Sequence, residues 1–205
     1  MINQPAFLVK DIVDFSALIE AREHGVIDKG LFAITHRDSI KFRHSASPKD
    51  DPLNTSFWSA LPFRLGNTAI KYMIRPCDAK PKTTGSSADF LTDLVRDYIE
   101  REDACFDFFL QKRGDNAQML IEDASAIWSE VVSNPIRVAQ IRIPKQTMRD
   151  DTKQKTCEQA EFSPWITTAD FRPLGNLNRI RRTVYELSSS ERHRINHTAD
   201  PFADR

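Results

Sequence analysis

Residues 70–75 alternate strictly: Ile70, Tyr72 and Ile74 fall on one side, Lys71, Met73 and Arg75 on the other. A period of two is that of a strand with two different faces. The same period returns after Asp103, where Phe106, Phe108 and Leu110 alternate with Asp107, Phe109 and Gln111. A third extended run covers residues 136–143 and ends at Pro144. Polar, turn-rich segments separate the runs: residues 45–52, residues 80–87 and the turn Gly114-Asp-Asn. Between the first two strands the period lengthens. Ser87 can cap a helix whose buried stripe is Phe90, Leu91, Leu94, Val95, Tyr98 and Ile99. Strands joined through polar loops, with one long helix among them, predict an α+β chain built on a partial antiparallel β-barrel with attached helices.

The ends of the chain add further elements. Residues 5–11 read as a short strand that breaks at Asp11. Asp14 can then cap a helix over Phe15, Leu18, Ile19 and Ala21 that stops near Gly25. Residues 145–158 are charged and polar without a period and read as a surface loop. One domain, residues 1–196, is expected, followed by a flexible tail, 197–205. The 29 basic and 29 acidic side chains cancel, so no general attraction to nucleic acid or an anionic membrane is expected. No apolar run approaches the ~20 residues of a membrane helix, and Pro5, Lys10 and Asp11 stand where a signal peptide needs apolar residues. Cys77, Cys105 and Cys157 are widely spaced and form no C-x-x-C, which predicts neither a disulfide framework nor a zinc site and suits the cytoplasm.

The chemistry concentrates near the C-terminus. Arg181 and Tyr185 lie four residues apart in a run with helical periodicity, so both project from one face, a turn apart. A phenol ionises near pH ~10 and is a poor ligand at neutral pH. A guanidinium keeps its proton and favours the phenolate by charge and by hydrogen bonding. Ferric haem held by a tyrosinate requires such a pair. The same helix also has an ordinary reading. Ile180, Val184 and Leu187 can form a buried stripe, Tyr185 can be a core-edge tyrosine, and Arg179, Arg181 and Arg182 a solvated basic face or phosphate patch.

Taken in order, Phe162-Ser-Pro-Trp165, Arg172-Pro-Leu-Gly175 and Asn178-Arg-Ile-Arg-Arg-Thr-Val-Tyr185 resemble the proximal helix region of the catalase-like haem proteins, in particular their smaller bacterial members. Two further segments are similar to that family: the opening Pro5-Ala-Phe-Leu-Val-Lys-Asp11 with Phe15, and Trp58-Ser-Ala-Leu-Pro-Phe-Arg-Leu-Gly66 leading into the first strand. The resemblance implies haem b, with Tyr185 as iron ligand, Arg181 as its electrostatic partner and Phe15 against the porphyrin face. It also implies that Arg194, in Arg192-His-Arg194, reaches a propionate by a charge-assisted bond. The substrate implied is hydrogen peroxide or an organic hydroperoxide, and the class a catalase- or peroxidase-like oxidoreductase.

The resemblance also has gaps. The family's distal asparagine falls on Ile2, which cannot donate a hydrogen bond to peroxide. The family's distal histidine lies upstream of the matching region, and none of His24, His36, His44, His193 and His197 corresponds to it. No general base is carried over. The expectation is therefore the haem-binding, C-terminal portion of a catalase-like protein, weak or inactive alone. The other readings are a truncated non-catalytic fragment and a small interaction module using its Arg-rich helix. Strand edges left unpaired by a partial barrel also imply a homo-oligomer.

Overall fold

The computed structural model describes residues 1–24, 51–78, 85, 87–114, 117–148 and 151–199. Most of the two long polar loops, the turn residues 115–116, Gly25, His36, His44 and the tail from residue 200 lie outside the described residues.

β3, Thr68–Pro76, is the spine of one antiparallel sheet. β4, Ala104–Lys112, pairs with it from Ile70↔Lys112 to Pro76↔Phe106, and β5, Ile136–Ile143, pairs with β4 on the far side. Two short strands share the other edge of β3. β1, Phe57–Trp58, faces Ile74 and Met73, while β2, Phe63–Leu65, faces Ile70, Ala69 and Thr68. Leu65↔Thr68 closes a two-residue loop, and Gly66 supplies the φ of +56° that a primed hairpin turn asks of its first position. β1 and β2 are separated where Ala60 takes a positive φ; Ser59 spans the gap, its N–H donating to the Tyr72 carbonyl at 2.8 Å. Every pairing is antiparallel, as the alternation predicts. The sheet is open rather than closed into a barrel: among the described residues no strand pairs with the outer edge of β5.

Among the described residues, four α-helices accompany the sheet: α1, Ile12–His24; α2, Phe90–Ile99; α3, Asp151–Gln159; and α4, Asn176–Asn196. α1 starts earlier than expected. Its cap is Asp11, whose Oδ1 accepts from the Val13 and Asp14 N–H groups at 3.0 and 3.1 Å, and Asp14 lies in the first turn. Residues 5–10 form no strand. The Phe7 N–H donates to the Ala124 carbonyl and the Ala124 N–H to the Lys10 carbonyl, so this segment is bonded to one residue instead of a ladder. Residues 151–159, read as loop, are helical. Their carbonyl end is held from afar, His193 bonding the Gln159 carbonyl and Arg192 the Ala160 carbonyl, a contact no local period reveals.

Two further corrections bear on function. Cys77 and Cys105 form a disulfide with Cα atoms 5.5 Å apart, because the Pro76↔Phe106 pairing brings residues distant in sequence side by side. The cysteine argument for a cytoplasmic location loses its footing, since disulfides are rare in reducing compartments. The stripe Ile180, Val184 and Leu187 is not buried: these side chains are 39%, 53% and 66% exposed. α4 is anchored instead through Leu177, Asn178 and Ser189. No helix among the described residues is long and apolar enough to cross a membrane.

Among the described residues the core gathers into two clusters. Val9, Leu61, Ala124 and Leu177 gather Phe7, Leu8, Ile12, Phe15 and Leu18 around them. Ala69, Met119 and Trp128 pack with Ile121 and Leu174 beside the β2–β3 hairpin.

Candidate functional site

The first turn of α4 sets the site. Gly175 precedes it with φ +88°, and a Cβ there would stand 2.6 Å from the Ile121 carbonyl oxygen, so the close approach and the backbone angle both require glycine. One turn on, Asn178 is fully buried. Its Nδ2 donates to the Pro62 and Leu174 carbonyls at 2.9 Å each, and its own carbonyl accepts from Trp165 Nε1 at 2.7 Å. Its Oδ1 accepts from one amino group of Arg181 at 3.0 Å. A buried amide left unpaired costs ~1–3 kcal/mol, so these bonds fix the orientation of Asn178 and through it that of Arg181.

The second amino group of Arg181 donates to Tyr185 Oη at 3.0 Å, with the guanidinium carbon 5.1 Å from the ring centroid. Both side chains are half-buried. The i, i+4 spacing thus produces a directed contact between a cation and a phenol oxygen, held from behind by a buried amide.

The face of β3 carrying Ile70, Tyr72 and Ile74 belongs to the same neighbourhood. Tyr72 lies between Phe63 and Phe108, with ring centroids 4.9 and 5.8 Å away. Burial pushes the Tyr72 hydroxyl above its ordinary pKa, Arg181 pulls it down and Tyr185 pushes it up. The Met1 amino group is lowered by burial and then by Arg181. Arg181 is therefore the charge that this aromatic-lined region shares.

The other candidate residues make contacts of their own. Phe15 is half-buried against Phe7, centroids 5.8 Å apart, within the Val9–Leu61–Ala124–Leu177 cluster. Arg194 is exposed near the C-terminal end of α4 and forms a two-pronged ion pair with Glu191 at 2.7 and 2.8 Å. The remaining arginines of the helix are also engaged. Arg179 pairs with Glu122, holding that carboxylate below its usual pKa, and Arg182 pairs with Glu186. With Arg179, Arg182 and Arg194 each paired to a carboxylate, the helix offers a polyanion a weaker basic face than its sequence suggests.

Sequence reasoning missed two residues here. Asn178 stood inside the quoted string, and its place three residues before Arg181 was the available signal. Tyr72 was legible only as a strand position, because its proximity to α4 is a long-range property. Among the described residues no three His, Cys, Asp or Glu side chains gather as a metal cluster. Iron held by a porphyrin and one phenolate needs none.

No protein-family model matches the sequence, and no curated protein matches it. Solved structures do. The crystal structure of a fungal catalase matches with a TM-score of 0.73 at 16% identity, covering 93% of this chain and 44% of that one. The structure of a bacterial catalase matches with a TM-score of 0.63 at 15% identity, covering 93% of this chain and 42% of that one. The chain has a catalase-like fold, mixed helix and antiparallel sheet, and spans less than half the length of these two structures.

Proposed function

We propose that the chain binds haem b through Tyr185, as part of a catalase- or peroxidase-like oxidoreductase acting on hydrogen peroxide or an organic hydroperoxide. The observation that carries the reading is the 3.0 Å bond from Arg181 to Tyr185 Oη, with Arg181 held at its other amino group by buried Asn178. The residues present fit the group. A phenol oxygen is a hard donor suited to ferric iron, and a fixed guanidinium beside it stabilises negative charge on a coordinated phenolate. The half-buried rings of Tyr72 and Phe108, backed by buried Phe63, supply apolar surface of the kind a porphyrin covers.

Bound haem supplies the iron redox chemistry that peroxide cleavage needs. The chain's own residues have narrower roles. Tyr185 binds the metal, Arg181 holds charge on the phenolate and Asn178 positions Arg181. Phe15 is the further ring contact the resemblance implies. Arg194 is the propionate partner it implies, beside its ion pair with Glu191 through Nε and one amino group. None of these residues is assigned a proton-transfer role, so the reading gives this chain cofactor binding and little turnover by itself. The open sheet is read as one part of a barrel, and the exposed edge of β5 as the place where copies of the chain associate.

Titration of the purified chain with ferric haem, followed by absorbance, tests the reading. One haem per chain is expected, with Arg181→Leu binding about tenfold or more weakly, the scale of a lost outer-shell partner. The double variant with Tyr185→Phe is expected to bind no worse than Tyr185→Phe alone, because the arginine acts through the tyrosine. Absence of stoichiometric uptake, or equal uptake by all variants, overturns it.

A further inference from the structure

On the opposite face of β3, three arginines stand in one row across the sheet. Arg64 of β2 pairs with Ala69 of β3, and the Arg113 N–H donates to the Ala69 carbonyl at 2.8 Å. On the outer side of β2 the Arg64 N–H donates to the Arg172 carbonyl at 2.9 Å, next to the Phe63↔Pro173 bridge. Residues directly opposite one another on antiparallel strands project to the same side. The row Arg172–Arg64–Ala69–Arg113 therefore brings three guanidiniums to one face, with only a methyl group among them.

These arginines line a cleft of about 440 Å³ together with Asn67, Thr68 and Gly114, and among the described residues no acidic side chain is in its lining. Two of the three are fixed by their inner nitrogens. Arg64 Nε donates to the Gly66 carbonyl at 2.6 Å and Arg113 Nε to the Met119 carbonyl at 2.7 Å, leaving their terminal amino groups for a ligand. Among the described residues, no carboxylate pairs with any of the three, whereas Arg75, Arg137, Arg142 and Arg179 elsewhere each do so. Like charges facing one another across a sheet are unfavourable, and a bound anion offsets that repulsion.

We propose that this cleft binds the phosphate group of a small molecule. A carboxylate offers two oxygens and is served by one arginine fork, but a tetrahedral dianion presents oxygens enough for three. The cleft lies on the face of β3 opposite Tyr72, so its occupancy does not depend on Tyr185 or on haem.

The test is calorimetric titration of the full chain with inorganic phosphate, at ionic strength matched with chloride. Saturable one-site binding is expected, weakened about tenfold or more in Arg113→Ala and in Arg172→Ala, two exposed side chains. Arg113→Lys, which keeps the charge but loses the fork, is expected to bind at an intermediate level. Arg22→Ala, the same charge change on α1, is expected to bind like the parent. A parallel titration with phenyl phosphate separates the sources: tighter binding than phosphate identifies a monoester, weaker binding the free ion. No saturable binding by the parent, or equal weakening by Arg22→Ala, overturns the proposal.

Discussion

Lys71→Met tests how the structure manages a buried charge. Lys71 is 2% exposed, its ammonium donating to the Ala126 carbonyl at 2.8 Å and lying 5.2 Å from the Trp128 ring centroid. Burial lowers its pKa from 10.5 to about 8, with Asp123 opposing the change. The folded value lies below the unfolded one, so the unfolded chain holds this proton more tightly. Below pH 8 both states are charged and the fold carries the whole cost of the buried ammonium. Between pH 8 and 10.5 the fold releases the proton first and stability rises with pH. At about 1.4 kcal/mol per pH unit, the gap amounts to about 3 kcal/mol. The assay is urea unfolding of parent and Lys71→Met at pH 7, 8, 9, 10 and 10.5, with midpoints and slopes compared. The burial that raises Tyr72 acts in the opposite direction at high pH, but it acts on both proteins and cancels in the difference. The parent is expected to gain about 3 kcal/mol on the variant across this range. Parallel pH profiles refute the reasoning, whatever their offset.

Asn178→Ala is expected to cost about 2–3 kcal/mol in urea unfolding, because two carbonyls and Arg181 lose their partner in a buried setting. Gly175→Ala is expected to lose about 2 kcal/mol or more, the positive φ and the 2.6 Å approach to the Ile121 carbonyl acting together, again read by urea unfolding. Cys105→Ser opens a loop of sequence separation 28 and is expected to lower stability by about 3 kcal/mol, with dithiothreitol giving the same loss in the parent and none in the variant.

Much of this fold is legible in local sequence where a single period operates. β3 and β4 follow from alternation, and the α2 stripe Phe90–Leu91–Leu94–Val95–Tyr98–Ile99 is half-buried or buried throughout. Failures occur where distant chain decides. α3 has no apolar period, and its last carbonyls are bonded by Arg192 and His193 from another helix. The disulfide depends on strand register, which cysteine spacing does not encode. The exposed stripe of α4 shows the converse, a helical period with nothing among the described residues to cover it. At the site, the i, i+4 spacing made the Arg181–Tyr185 contact readable. The Asn178 hub and the approach of Tyr72 needed the packing of α4 onto residues 62–72.

The central claim is that the Tyr185 oxygen ligates haem iron. Resonance Raman spectroscopy of the ferric haem complex, excited in the phenolate-to-iron charge-transfer band, reads that bond directly. The account predicts an iron–phenolate stretch and enhanced tyrosinate ring modes in the parent, both absent in Tyr185→Phe while its unfolding curve stays within about 1 kcal/mol of the parent. The same bands in Tyr185→Phe, or a parent complex whose spectrum shows a nitrogen or sulfur ligand, contradict it.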